Sequence, residues 1–176
     1  SAGIDYLDMH MIGHVPGGAD RFCVSSARGF YRTDDAGEHW HRVEQGMPFA
    51  GSKKNCYSHE WHTVPGDVPR MIVCGGRGSP GGWEVEKTHP HGHLLISDDA
   101  GDTWRFPKSG LSDQEIYMPW TIAAHPTDPA TLYCGFGDGG RGFLMKPGEP
   151  GHGALYMSSD RGDSWTPVLT NTAAIT

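Results

Sequence analysis

The sequence predicts an all-β fold built from three repeats of one four-stranded antiparallel unit. Three observations carry that prediction. A ten-residue pattern recurs three times, and its closing tryptophans, Trp40, Trp104 and Trp165, are 64 and 61 residues apart. The 26 glycines and 13 prolines among 176 residues supply the turns that many short strands need, without reaching the level of a low-complexity chain. Helical periodicity is missing almost throughout, and 111–118 is the one stretch where a helix is arguable.

Each unit opens on an extended segment: YLDMHMI from Tyr6, YSHEWHTV from Tyr57 and YMPWTIAA from Tyr117. A proline-containing turn and an apolar β-rich run follow in HVPGGADRFCVSS (14–26), TVPGDVPRMIVCGG (63–76) and HPTDPATLYCGFG (125–137). After a loop of variable length comes the repeated pattern itself: YRTDDAGEHW (31–40), LISDDAGDTW (95–104) and YMSSDRGDSW (156–165). All three read Ser/Thr-x-Asp-x-Gly-x-x-Trp. Thr33, Ser97 or Ser158 ends a strand, and Asp35, Asp99 or Asp160 bonds the amides of the next turn. Gly37, Gly101 or Gly162 provides a positive φ, and the tryptophan opens the fourth strand and packs on a neighbouring unit. These residues read as structural. Four antiparallel strands at this period are the blade of a β-propeller, which divides the chain into blades 1–46, 47–110 and 111–176.

Several function classes are excluded at this level. A net charge of −7 argues against nucleic acid as a partner, since that demands a basic face. No run of about 18 apolar residues occurs, so no membrane span is expected, and SAGIDYLDMHMIG has neither the basic region nor the apolar core of a signal peptide. Cys23, Cys56, Cys74 and Cys134 lack CxxC spacing and sit among apolar neighbours, as buried hydrophobes do. There is no GxSxG elbow, and GFGDGGRG lies within β structure, so no nucleotide cofactor is expected.

The repeated turns resemble the Asp-box (BNR) motif of sialidases, other glycoside hydrolases, sortilin-type receptors and photosystem assembly factors. That resemblance implies a propeller whose Asp-box turns lie on the face away from the ligand. The entries of the inner strands and the loops between second and third strands would form the opposite, working face. Three blades do not close a ring. Half of a six-bladed propeller is therefore expected, completed by a second copy in a homo-oligomer or by the remainder of a longer chain.

The expected working face is chemically distinctive. Arg28, Arg77 and Arg141 each precede a glycine after a second strand, so three guanidinium groups would converge on one anion. Sialidases also grip a carboxylate with three arginines, but their Phe/Tyr-Arg-Ile-Pro motif is missing here. Of the 11 histidines, several fall on this face. Strand alternation puts Asp8, His10 and Ile12 on one side and points His59 and His62 to opposite sides. His89, His91 and His93 lie in the long loop 77–93, and His152 lies in the loop 138–154. A transition metal (Zn, Cu, Fe or Mn) held by His10, His59 and Asp8, with His91 or His93 from above, fits these residue types. Trp83, Phe143 and Met145, with Trp120, would wall a substrate pocket, and Glu84, Glu86 and Glu149 are acid/base candidates.

The expectation is a metal-assisted hydrolase or lyase acting on a small anionic or polar substrate, with His59, His62, Glu60 and Glu84 as catalytic candidates. One alternative is a glycoside hydrolase using two carboxylates about 5–10 Å apart. The other is a non-catalytic propeller that binds a protein or a glycan.

Overall fold

The computed structural model describes residues 3–4, 8–48, 50–51, 56–66, 69–77, 92–111, 118–137 and 153–170. Eleven strands follow one another: β1 (Met9–His14), β2 (Phe22–Ser26), β3 (Gly29–Thr33), β4 (His41–Arg42), β5 (Cys56–Val64), β6 (Arg70–Arg77), β7 (Gly92–Ser97), β8 (Met118–Ala124), β9 (Leu132–Gly137), β10 (Gly153–Ser158) and β11 (Thr166–Thr170). They form three antiparallel sheets in simple up-and-down order: β1-β2-β3-β4, β5-β6-β7 and β8-β9-β10-β11. The second sheet gains its fourth line where Arg105 pairs with Ile96. No helix occurs among the described residues, and the helix considered for 111–118 falls mostly outside them.

The sheets pack face to face in sequence, and two apolar layers hold them. Val15, Cys23, Phe30 and Val43 of the first blade meet Trp61, Met71, Val73, Leu95 and Trp104 of the second. Val64, Ile72, Cys74, Leu94 and Ile96 then meet Ile122, Leu132, Cys134, Phe136, Tyr156 and Trp165 of the third. Successive residues of β6 thus face opposite layers. This is why MIVC reads as a continuous apolar run instead of alternating with polar residues. Each such side chain, fully buried, contributes about 1.5–3 kcal/mol.

The three Asp-containing turns close in the same way. Thr33, Ser97 and Ser158 accept through Oγ from the amides of Gly37, Gly101 and Gly162 at 2.8–2.9 Å. Asp35, Asp99 and Asp160 accept from the amides of His39, Thr103 and Ser164 at 2.8–2.9 Å. The glycines have φ between 91° and 98°, as expected, and the residues before them, Ala36, Ala100 and Arg161, are also left-handed. Trp104 and Trp165 reach back into the layer shared with the preceding blade, and Trp104 Nε1 donates to the Val43 carbonyl at 2.7 Å.

Counting from these turns fixes which positions correspond. Thr33, Ser97 and Ser158 pair with Phe22, Met71 and Leu132. The cysteines therefore occupy successive, non-equivalent positions: Cys23 matches Ile72 and Tyr133, Cys134 matches Val24 and Val73, and Cys74 matches Ser25 and Gly135. Linkers obey the same repeat. The Trp104 amide donates to Gln45 O and the Trp165 amide to Ser109 O, so the chain leaving one blade lies on the outer edge of the next. At Gly46 and Gly110 an added Cβ would stand 2.1 and 1.7 Å from the Trp104 and Trp165 carbonyl oxygens. No side chain fits in either place.

Candidate functional site

Each inner strand carries one β-bulge, and register shows all three to be equivalent. In β1 the bulge lies between Met9 and Met11, in β5 between Ser58 and Trp61, and in β8 between Pro119 and Thr121. Counted from the shared register, His10, His59 and Trp120 occupy one and the same bulged position. A bulge leaves backbone groups unpaired and re-aims the side chain it carries. Met9 pairs with Ser26 next to the β2–β3 turn, whereas Thr33, the start of the Asp turn, pairs at the far end of the sheet. The bulges and the Asp turns thus lie at opposite ends of the blade.

Backbone groups at the second and third bulges bond side chains of the preceding blade. His10 Nδ1 donates to Ser58 O at 2.6 Å, and His59 Nδ1 donates to Trp120 O at 3.0 Å. Ser25 Oγ donates to His59 O, and the Ile122 amide donates to Glu60 Oε1 at 3.3 Å. A carbonyl can only accept, so both rings carry hydrogen on Nδ1, and in a neutral ring Nε2 keeps a lone pair. The rings form one arc. The centroids of His10 and His59 are 5.1 Å apart, those of His59 and Trp120 are 5.2 Å apart, and Tyr57 lies 4.9 Å from His10 and 6.2 Å from His59. Desolvation, reinforced by His10, holds the His59 imidazole below the ordinary histidine range, and burial pushes the Tyr57 phenol up to about 12.

The expected site residues fall as follows. His10 Nε2 stands 3.7 Å from Asp8 Oδ1, but His10, His59 and Asp8 do not gather into a close three-ligand group. Among the described residues the one such group is Asp35, Glu38 and His39, at the Asp-turn end. There His39 replaces the hydroxyls of Thr103 and Ser164, which make the same bond in the other turns. That cluster is a turn cap.

His59 and His62 do not point to opposite sides, because the bulge removes one step of alternation. His62 pairs with Ile72, which faces the third blade, and His59 bonds that same blade. His62 is half-buried, and desolvation holds it below the ordinary histidine range. His93 lies on β7 opposite Gly75, not in the loop above the hub; burial pushes its imidazole down to about 4, as befits a core residue. Register makes Arg28, which is exposed, and Arg77, which is half-buried, equivalent positions. Trp83, Glu84, Glu86, His89, His91, Arg141, Phe143, Met145, Glu149 and His152 lie outside the described residues. Sequence reasoning missed Tyr57 as part of the arc and Ser25 as a bulge cap. No fixed offset marked the bulges, because His10, His59 and Trp120 lie 23, 38 and 38 positions before Thr33, Ser97 and Ser158.

No family model matches the chain, and no curated protein matches it. Among solved structures it is similar to an ancestral GH74 enzyme, with a TM-score of 0.63 and 19% identity over 96% of this chain and 19% of that one. It is also similar to the GH74 enzyme of Niastella koreensis, with a TM-score of 0.51 and 12% identity over 96% of this chain and 30% of the other. The third is YCF48 from Cyanidioschyzon merolae, with a TM-score of 0.50 and 18% identity over 92% of this chain and 37% of the other. The fold is that of a β-propeller. The chain spans between 19% and 37% of the length of these structures. At such identities the likeness is one of fold, and activity has to be argued from the site.

Proposed function

We propose that this chain supplies one arc of a propeller hub that binds a small polar or anionic substrate and hydrolyses it, with His59 as proton acceptor. The observation that carries the reading is the repeated bulge, which sets His10 and His59 side by side with both Nδ1 atoms engaged. Nε2 of a neutral His59 takes a proton from water as the water attacks. His10, acting as the imidazolium beside the Asp8 carboxylate, gives its Nε2 proton to the leaving group, and the proton gained by His59 passes to His10 to restore both rings. Trp120 and Tyr57 wall the site with ring faces and edges, and Arg28 and Arg77 answer a negative charge at equivalent places in two blades. We read the Thr/Ser-Asp-Gly turns as Asp-box turns. The GH74 neighbours make glycosides the first substrates to try.

Replacing His59 by Asn tests this directly. Asn Nδ2 substitutes for the Nδ1 donor to Trp120 O and removes Nε2 altogether. Against a panel of chromogenic glycosides and small esters, the variant is expected to stay folded, with a midpoint close to that of the wild type, and to lose about 10²–10⁴-fold in kcat. Equal turnover by the two proteins, or no hydrolysis by the wild type, overturns the reading.

One observation favours a second reading. Imidazoles that ligate metals usually donate the other ring N–H to a carbonyl or carboxylate, as both rings do here. A transition metal such as Zn, Cu, Fe or Mn held between His10 and His59, with groups other than Asp8 completing its shell, would then supply the Lewis acid. Metal content of protein purified without chelator, compared between wild type and His59→Asn, decides it: stoichiometric metal lost in the variant supports the metal, and none in either protein removes it.

A further inference from the structure

We propose that Glu60 is a positioning residue for His59. Its carboxylate anchors the strand edge that keeps hydrogen on Nδ1 of the imidazole, which leaves Nε2 its lone pair. The inference rests on the reading of His59 as proton acceptor, and it concerns a proton whose place can be read without any substrate.

β8 is the edge strand of its sheet, so the backbone groups on its free side find partners outside that sheet. Two of them are taken by consecutive residues of the second bulge. His59 Nδ1 donates to Trp120 O at 3.0 Å, and Glu60 Oε1 accepts from the Ile122 amide at 3.3 Å. A donor on a carbonyl and an acceptor on an amide two residues along thus grip one edge.

The other interface shows why the second contact matters. His59 and Trp120 are equivalent by register, and the His59 carbonyl is bonded by the Ser25 hydroxyl of the first blade. The residue matching Ser25 in the second blade is Cys74, whose thiol is a weak donor. The Trp120 carbonyl is taken by the His59 imidazole instead. An imidazole free in water favours hydrogen on Nε2, the form in which Nε2 cannot accept a proton. Inside a protein the tautomer follows the bond that the other nitrogen makes. His59 therefore keeps the useful form only while Trp120 O stays within reach, and Glu60 fixes the strand two residues further on. Burial is what most lowers the affinity of His59 for a proton, and the Trp120 carbonyl and then the Glu60 carboxylate oppose it. Met11 occupies the place of Glu60 in the first blade, so this anchor is particular to His59.

Heteronuclear NMR of the nitrogen-labelled, folded protein, at a pH well above the histidine range, reads which nitrogen of His59 carries hydrogen. The wild type is expected to hold it on Nδ1. Glu60→Met, which installs the first blade's residue at similar volume, is expected to shift most of it to Nε2 and to leave His10 as it was. Glu60→Gln, whose amide oxygen still accepts from Ile122, is expected to keep the wild-type form. Should Glu60→Met fail to fold, Glu60→Ala removes the same acceptor and is expected to act alike. On any substrate that the wild type turns over, Glu60→Met is expected to lose about 10²-fold in kcat. Hydrogen on Nε2 in the wild type overturns the proposal. So does a Met or Ala variant that keeps it on Nδ1, or a Gln variant that does not. A wild type that hydrolyses nothing removes the reading of His59 as base, whereas the nitrogens still decide whether Glu60 sets the tautomer.

Discussion

His59 Nδ1 lies 3.0 Å from the carbonyl oxygen of Trp120, so an imidazole of the second blade caps the backbone bulge of the third. The bond gives His59 a structural duty in addition to any chemical one. His59→Leu leaves a half-buried carbonyl unpaired and is expected to cost about 1–3 kcal/mol. His59→Asn restores a donor and should cost less than half as much. Urea unfolding of the two variants measures the difference.

Arg32 ties the first blade to the second: its Nη1 donates to the Ala100 carbonyl at 3.0 Å and to Asp102 at 2.6 Å. Arg70 repeats the tie between the second and third, with Nη1 donating to Arg161 O at 3.0 Å. Asp102 is largely exposed, so the carbonyl bond outweighs the ion pair. Arg32→Met is expected to lose about 1.5–3 kcal/mol, and Asp102→Asn under 1 kcal/mol. Loss in the reverse order by chemical denaturation would put the weight on the ion pair.

His93 is buried, and its folded-state value of about 4 lies below that of an unfolded histidine. Below the unfolded value, near 6.5, the unfolded chain binds a proton that the folded chain refuses, so stability falls with pH between about 6.5 and 4. The loss, integrated to pH 4, is on the order of 3 kcal/mol. Stability measured against pH should decline across that window, and His93→Leu should flatten the decline.

Gly162 and Gly37 have similar backbone angles, with φ of 91° and 98°, but different surroundings. A Cβ at Gly162 would stand 2.6 Å from Ile72 Cδ1, whereas at Gly37 nothing is nearer than 3.7 Å. Both alanine variants carry backbone strain of about 1–2 kcal/mol. Gly162→Ala is expected to lose more, because it also pushes the second and third blades apart. Thermal midpoints of the pair report this.

The four cysteines are buried, and desolvation pushes the Cys23 thiol up to about 12. A thiol-reactive dye should therefore label none of them in the folded protein. Labelling in denaturant should follow global unfolding, and a fast-reacting thiol at zero denaturant would contradict the packing described.

The architecture was legible because its signals are local. A turn that needs a hydroxyl, a carboxylate and a positive φ writes them at fixed offsets, and it does so at Thr33, Asp35 and Gly37 and twice again. The arrangement at the hub was legible only in part. His10 and His59 stood out by residue type, but strict alternation sent His59 and His62 apart. The bulge that reverses this has no residue signature, since Met9, Ser58 and Pro119 precede it in the three blades. Cys23, Cys74 and Cys134 give no register either, because burial admits a small apolar residue at any of several adjacent strand positions. His93 belonged to a histidine-rich loop by sequence and to β7 by its pairing with Gly75.

The glycine seats at Gly46 and Gly110 bear on how such a protein can be rebuilt. Each lets the linker between two sheets rest directly on a tryptophan carbonyl of the later one. A designer who transplants, deletes or duplicates a module must move the preceding glycine with it. Otherwise the joint opens on the added methyl group, and every later module inherits the tilt.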